Sequence, residues 1–232
     1  MKGRDWYQEG ETATEYDEWR FSKGGELVDE GEKKALFDIT GDLNGVRLLE
    51  TACGTGRFTI EFLERNAEVT GVDISRPMLE EARKKISSTG FGGSVDFLRG
   101  DGKNLPFPDD SFEVAVAMRF FHLADEPAEY LKELQRVSKN YVVFDTFSKS
   151  SARRTYNSFL PMGSNLYTDD DVHGFVDKAD LKVVDSKKDF FFPFGLYRVT
   201  PKKLAKGVRK VDRKMQDVVG DGLCTVQYWK VK

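Results

Sequence analysis

Between Val46 and Phe147 the chain alternates short apolar runs with amphipathic stretches, and few architectures accept that rhythm. Strands that are each followed by a helix return to the sheet in parallel, so the pattern predicts βαβ units with helices on both faces. The predicted strands are Val46 to Ala52, Glu68 to Asp73, Val95 to Leu98, Phe112 to Met118 and Tyr141 to Phe147. Helices are expected over Arg57 to Arg65, from the cap Ser75 through Ile86 with Pro77 in its first turn, and over Ala128 to Val137.

The flanks read differently. Residues 1 to about 40 are acidic with interspersed aromatics (Trp6, Tyr7, Tyr16, Trp19, Phe21) and a weak helical pattern over Glu26 to Phe37, which suggests a helical arm or lid. The main domain is then 41–232. After Phe147 come a polar stretch, a helix start at Thr168, a strand-like Leu181 to Asp185 and an aromatic run from Phe190 to Tyr197. Pro201 opens a basic amphipathic helix to about Val218, with Leu204, Val208, Val211 and Met215 at helical spacing, and Thr225 to Val231 reads as a last strand. A late strand pair is thus expected, with insertions around 148–168 and 190–222.

A chain of 232 residues can bury a real core, and its 18 Phe, 8 Tyr and 3 Trp argue against disorder. A net charge of −3 offers no global positive field for nucleic acid, so a small-molecule partner is favoured. Cys53 and Cys224 form neither a disulfide framework nor a metal-ligand cluster, and no metal is expected. Without a leader-like or spanning apolar run, the expectation is a cytoplasmic protein that does not insert into a membrane.

Chemistry concentrates where the first strand ends in Glu50 and runs through Ala52 into Gly54-Thr55-Gly56. Glycines there let a ligand approach the backbone, but a dinucleotide fingerprint wants a third glycine where Thr59 stands. A carboxylate just ahead of the turn repels a phosphate and suits a cation. Asp73 ends the second strand, where an acid can accept hydrogen bonds from a ribose diol.

With these motifs the stretch from Val46 to Phe147 resembles the class I S-adenosylmethionine-dependent methyltransferases, in particular the group that includes the ubiquinone and menaquinone biosynthesis methyltransferases. The resemblance rests on the Glu50 to Gly56 loop, Val72-Asp73-Ile74-Ser75 followed by Pro77-Met78-Leu79, Gly100-Asp101-Gly102 through Leu105-Pro106-Phe107, and Asp110-Ser111-Phe112-Glu113. Glu113 departs conservatively from the aspartate commoner in that family. The implied fold is a Rossmann-like α/β sheet of seven strands, mostly parallel with the last antiparallel. The implied cofactor is S-adenosyl-L-methionine, leaving as S-adenosyl-L-homocysteine. Glu50, Ala52, Gly54 and Gly56 would then form its loop, Asp73 would take the ribose, and Ile74 and Met78 the adenine ring. Asp101 and Gly102 would meet the adenine edge, Met118 and Arg119 the methionine portion, and Tyr16 would cover the site from the arm.

Several readings stay open. His122, just after the fourth strand, is the leading candidate for a general base and equally a structural histidine. Phe190 to Tyr197 walls an acceptor pocket or packs as core. The basic helix, with Lys202, Lys203, Lys206, Arg209, Lys210, Arg213 and Lys214, suits RNA, a membrane surface or an anionic substrate, and a solvated face is the commoner explanation. The rivals to small-molecule methylation are methylation of RNA or protein, a nucleotide-dependent oxidoreductase, and a non-catalytic cofactor-binding partner.

Overall fold

The computed structural model describes residues 17–18, 20–91, 93–157 and 164–232. Helix α1 (Gly25–Thr40) precedes the alternation predicted above: β1 (Arg47–Thr51), α2 (Arg57–Glu64), β2 (Glu68–Asp73), α3 (Arg76–Ser87), β3 (Val95–Arg99), β4 (Phe112–Ala117), α4 (Pro127–Val137) and β5 (Ser138–Phe147). A short α5 (Arg153–Tyr156), α6 (Asp169–Lys178), β6 (Val183–Asp189), α7 (Phe194–Val199), α8 (Lys202–Val219) and β7 (Val226–Val231) complete it. The seven strands form one sheet in the order β3-β2-β1-β4-β5-β7-β6, parallel except for β7, which runs antiparallel to both its neighbours.

Both faces of the sheet are covered, and consecutive strand residues divide between them. Leu48, Val114, Val116, Val143 and Tyr228 pack with α1, α2 and α7. Leu49, Ala115, Ala117, Val142, Phe144 and Trp229 pack with α4 and α6 on the other side. Helix α1 supplies Val28, Ala35, Leu36 and Ile39 to the first core, so this part of the expected arm is a structural helix of the domain. Tyr16 and Trp19 lie outside the described residues.

Local signals set the elements around the glycine turn. Ser75 caps α3, its hydroxyl accepting from the Met78 N–H, with Pro77 in the first turn. Gly56 caps α2 at φ +76°, and a Cβ there would meet the Ala82 Cβ of α3 at 3.2 Å. Its role is to let two helices approach. Gly56→Ala should therefore cost about 2–3 kcal/mol in urea unfolding, backbone strain plus crowding. Gly45, at φ +71° with open space around it, is the control, and its alanine variant should cost only about 1 kcal/mol. Equal losses would remove the helix contact from the explanation.

Three details differ from the sequence-based expectation. The sixth strand is Val183–Asp189, two to four residues later than Leu181 to Asp185, because its register follows backbone pairing with β7 rather than its own polar side chains. The last strand is Val226–Val231, starting one residue after Thr225. Of the expected apolar positions of α8, Leu204 and Val211 are turned outward, Val208 reaches only the edge of the first core and Met215 is half-buried, while the buried residues are Ala205, Arg209 and Asp212. By contrast Phe190, Phe194 and Tyr197 of the aromatic run are core residues.

Candidate functional site

The strand order reverses direction between β1 and β4, and in open parallel sheets the crevice at such a point is where ligands settle. Both central strands leave the sheet there through a left-handed, non-glycine residue, Ala52 at φ +54° after β1 and Arg119 at φ +60° after β4. Between them opens a cleft whose wall includes Glu50, Ala52, Gly54, Asp73, Ile74, Met78, Asp101, Gly102, Met118 and Arg119. Ten of the residues expected at the site from sequence thus come together. Gly56 does not line the cleft, and neither does His122.

The turn after β1 is held by a carboxylate from the next strand. Asp73 accepts the Gly54 N–H on Oδ2 and the Ser75 N–H on Oδ1, both at 2.8 Å, so one side chain ties the glycine turn to the start of α3. Gly54 sits at φ +55°, and a Cβ added to it would meet nothing within 4 Å. It would project into open space, which leaves backbone free for a ligand. Burial raises the Asp73 carboxyl above its ordinary range, and the backbone N–H donors of Ser75, Gly54 and Ile74 pull it back.

Glu50 is 2% exposed. It points from β1 toward α2, where the Thr59 hydroxyl donates to its Oε2 at 2.5 Å. The residue that breaks the dinucleotide pattern is therefore the partner of the acid that replaces it. Burial pushes the Glu50 carboxyl up to about 8, against the lowering influence of Thr59 and Arg57. Among the described residues neither Glu50 nor Asp73 belongs to an ion pair, so two buried carboxyls face the cleft without a cation. Asp101 shapes its own loop, its Oδ1 accepting the Lys103 N–H at 3.1 Å.

Two guanidiniums also line the cleft, and both are neutralised from behind. Arg57 pairs with Asp29 and, at 2.9 Å, with Glu32. Arg119 lies 3.2 Å from Glu32 and 3.2 Å from Asp145, and its backbone N–H donates to Asp145. Arg20 completes the group at 2.6 Å from Glu32. Burial alone would raise the Glu32 carboxyl, but Arg119, Arg20 and Arg57 hold it well below the usual carboxylate range. Arg119 also lies over the rings of Phe147 and Phe194, at 4.1 and 4.9 Å from their centroids. Nothing local in the sequence marks Glu32 or Asp145 as members of this group.

Asp17 and His122 adjoin cleft residues without lining the cleft themselves. Asp17 accepts a hydrogen bond from the cleft residue Thr55 and pairs with Lys85. His122 is 8% exposed, in a single helical turn after β4, with its ring against the Phe147 ring at 5.2 Å. Burial, then Arg119, Arg153 and Arg20, push its pKa well below the ordinary histidine value. The imidazole is neutral at pH 7.

Residues 48–140 match the family model described as a methyltransferase domain. Over that segment the chain is similar to methyltransferase domains. The ubiquinone/menaquinone biosynthesis C-methyltransferase of Ruegeria sp. is 36% identical over 109 residues, which cover 46% of this chain and 44% of that one. Its counterpart from Azotobacter vinelandii is 27% identical over 196 residues, 78% of each chain. The chain thus spans less than half the length of the first of these relatives. A Thermotoga maritima SAM-dependent methyltransferase, described as a possible histamine N-methyltransferase, shares the fold with a TM-score of 0.65 at 22% identity, over 97% of this chain and 99% of that one. The matched segment holds β1 from Leu48 through the start of β5 and every cleft residue named above from Glu50 to Arg119. The sheet strands β6 and β7 and the helices α7 and α8 lie beyond it.

Proposed function

We propose that the protein transfers a methyl group from S-adenosyl-L-methionine to a small-molecule acceptor by in-line displacement. The observation that carries this reading is the pair of buried, cation-free carboxyls, Glu50 and Asp73, on either side of the open Gly54 backbone. Such a wall accepts an ammonium, which draws Glu50 into its carboxylate form, and a ribose diol, and it offers a diphosphate no unneutralised cation, which disfavours a nicotinamide cofactor.

When bound, the sulfonium supplies an activated methyl group, so the chain's task is alignment and exclusion of water. Asp73, already fixed by two backbone donors, has lone pairs left for the ribose hydroxyls. Glu50 takes the amino-acid ammonium, Asp101 the adenine edge, and Ile74 and Met78 the adenine faces. Arg119, oriented by Glu32 and Asp145, shapes the far end of the cleft beside Phe194. An oxygen or carbon acceptor must lose a proton. His122, the base expected from the sequence, is neutral but stands outside the cleft wall with its ring against Phe147, which does not put it within reach of that proton.

Glu50 gives the reading a pH signature. Below about pH 8 the empty site keeps this carboxyl protonated, whereas a bound ammonium favours the carboxylate, so binding expels a proton. Cofactor affinity should rise between pH 6 and 8, by up to about tenfold per unit at its steepest. Glu50→Gln should flatten that dependence and weaken binding at pH 8 by about tenfold or more. For the empty protein the sign is the reverse. Its pKa is raised in the folded state, so the stability Glu50 contributes is complete below the ordinary value of 4.5 and is lost as pH climbs through about 8. Calorimetry with S-adenosylhomocysteine in buffers of different ionisation enthalpy counts the proton, and a wild-type Kd independent of pH would contradict the role.

The direct test is incubation with labelled methyl donor and a small-molecule extract, an RNA fraction and a protein fraction in parallel. Label in the first supports the proposal. Label confined to RNA or protein would favour the macromolecular reading, and calorimetric binding of NADH in place of S-adenosylhomocysteine would overturn the cofactor assignment.

A further inference from the structure

Among the described residues, the large apolar side chains left in solvent are Val184 and a group confined to one insertion: Leu196, Val199, Leu204, Val211, Val218, Val219 and Leu223. Positions 204, 211 and 218 recur every two helical turns, so they form one line along α8, about 21 Å long at 1.5 Å per residue. They are 65%, 49% and 82% exposed. Beside them Met215 is half-buried and Val208 packs at the edge of the first core. A helix in a globular domain ordinarily turns such a stripe inward.

The outward roll is fixed by polar contacts on the opposite side. Arg209 donates to Asp212 at 2.5 Å and to Asp189 at 2.6 Å, and Asp212 accepts the Phe192 N–H at 2.5 Å. Asp212 is fully buried. Rolling α8 to bury its valines would strand this ion pair away from its partners, at a cost that a few aliphatic contacts do not repay.

Beside the stripe, on the side away from the protein body, stand Lys203, Lys210 and Lys214, with Lys206 and Arg213 further round, all exposed. Among the described residues none of these five enters an ion pair, whereas Lys202 is held by Glu26. Residues 1–16 contain Asp5, Glu9, Glu11 and Glu15 against Lys2 and Arg4, too small an acidic excess to match five cations. The stripe is aliphatic throughout. It lacks the Trp, Tyr or Phe anchors around which protein interfaces build their affinity, and a nucleic acid offers it nothing apolar to cover. An interfacial helix on an anionic bilayer has this composition, with aliphatic residues at the acyl boundary and lysines among the head-group phosphates.

We propose that α8 docks the protein on the surface of an anionic lipid membrane. No described helix is long and apolar enough to cross a membrane, so the association is peripheral. Strand β6 runs parallel to β5, so the insertion that carries α8 leaves the sheet at the edge where the cleft opens. Phe194 of that insertion touches the cleft residue Arg119. Docking therefore turns the acceptor end of the cleft toward the lipid, where an apolar acceptor dissolved in the bilayer is met at high local concentration.

Sedimentation of the full-length protein with vesicles tests this without any cofactor. Phosphatidylcholine vesicles with about one-third phosphatidylglycerol should bind it at least tenfold more strongly than pure phosphatidylcholine, and added salt should weaken the binding. Two triple variants separate the contributions: Leu204→Ser with Val211→Ser and Val218→Ser, and Lys203→Glu with Lys210→Glu and Lys214→Glu. All six positions are exposed, so circular dichroism and S-adenosylhomocysteine binding should match the wild type while vesicle binding falls about tenfold or more in each. Equal binding to both vesicle types, or unchanged binding by either variant, overturns the proposal. So does a wild-type dimer in solution that the serine variant converts to monomer, since a second copy would then be the occupant. Loss of cofactor binding with vesicle binding intact would count against the proposed activity alone.

Discussion

Asp73→Ala should weaken S-adenosylhomocysteine binding by a hundredfold or more while leaving the protein folded. The wild-type carboxylate makes two backbone hydrogen bonds at 2.8 Å, to Gly54 and Ser75, and in the proposed complex it also takes a ribose diol. Hydrogen bonds to a charged acceptor contribute about 1.5–3 kcal/mol each, so losing the two ribose contacts alone costs about 3–6 kcal/mol of affinity. Leaving the Gly54 and Ser75 N–H groups without their acceptor adds a stability loss of about 1–3 kcal/mol. Ser75 still caps α3 through Met78, which limits the damage to the turn. Calorimetry reads the first number and urea unfolding the second. An affinity within threefold of wild type would show that Asp73 is only a turn-former and would remove the main support for the cofactor pose.

The second large effect lies behind the cleft wall. Glu32→Gln keeps the volume and removes the single negative charge that Arg20, Arg57 and Arg119 share. Breaking a buried ion pair by neutralising one partner costs about 3–5 kcal/mol, because the remaining charges stay buried. The pH dependence has a definite sign. The folded-state pKa of Glu32 is depressed, so its contribution is complete above the ordinary carboxylate value of 4.5 and is lost as pH falls toward the folded value. The gap between wild type and variant should therefore be full at pH 7 and narrow below about pH 4. Urea titrations at the two pH values check both claims, and a loss under 1 kcal/mol at pH 7 would mean that water or Asp29 and Asp145 already satisfy the arginines.

How much of this was legible in the sequence depends on how local each signal is. Strand Glu68–Asp73 and the cap at Ser75 were legible to the residue, since alternation, a polar boundary and Pro77 all lie within ten positions. Glu50, Gly54 and Asp73 could be placed together because a βα turn and the next strand end are neighbours by topology. Thr59 carried a visible signal, standing where a third glycine was wanted, but its bond to Glu50 emerges only once α2 packs on β1. The Glu32, Arg119 and Asp145 group was invisible, because it joins three elements far apart in the chain. Helix α8 was legible as an amphipathic helix opened by Pro201, and only its roll was not. A helical pattern shows which side is apolar and says nothing of which side meets the core, and here the buried Arg209 and Asp212 decided the roll. The edge strand β6 was misplaced because its outer half, Asp185 to Asp189, is polar and owes its place to β7.

Ala52 and Arg119 turn the two middle strands out of the sheet in a conformation that L-residues adopt only at a cost of about 1–2 kcal/mol each. Neither corner would form in an isolated peptide; each persists because the sheet beneath clamps it. The crevice is consequently a property of the whole tertiary structure, and a partly melted molecule, even one with its helices intact, should have no residual grip on adenosine.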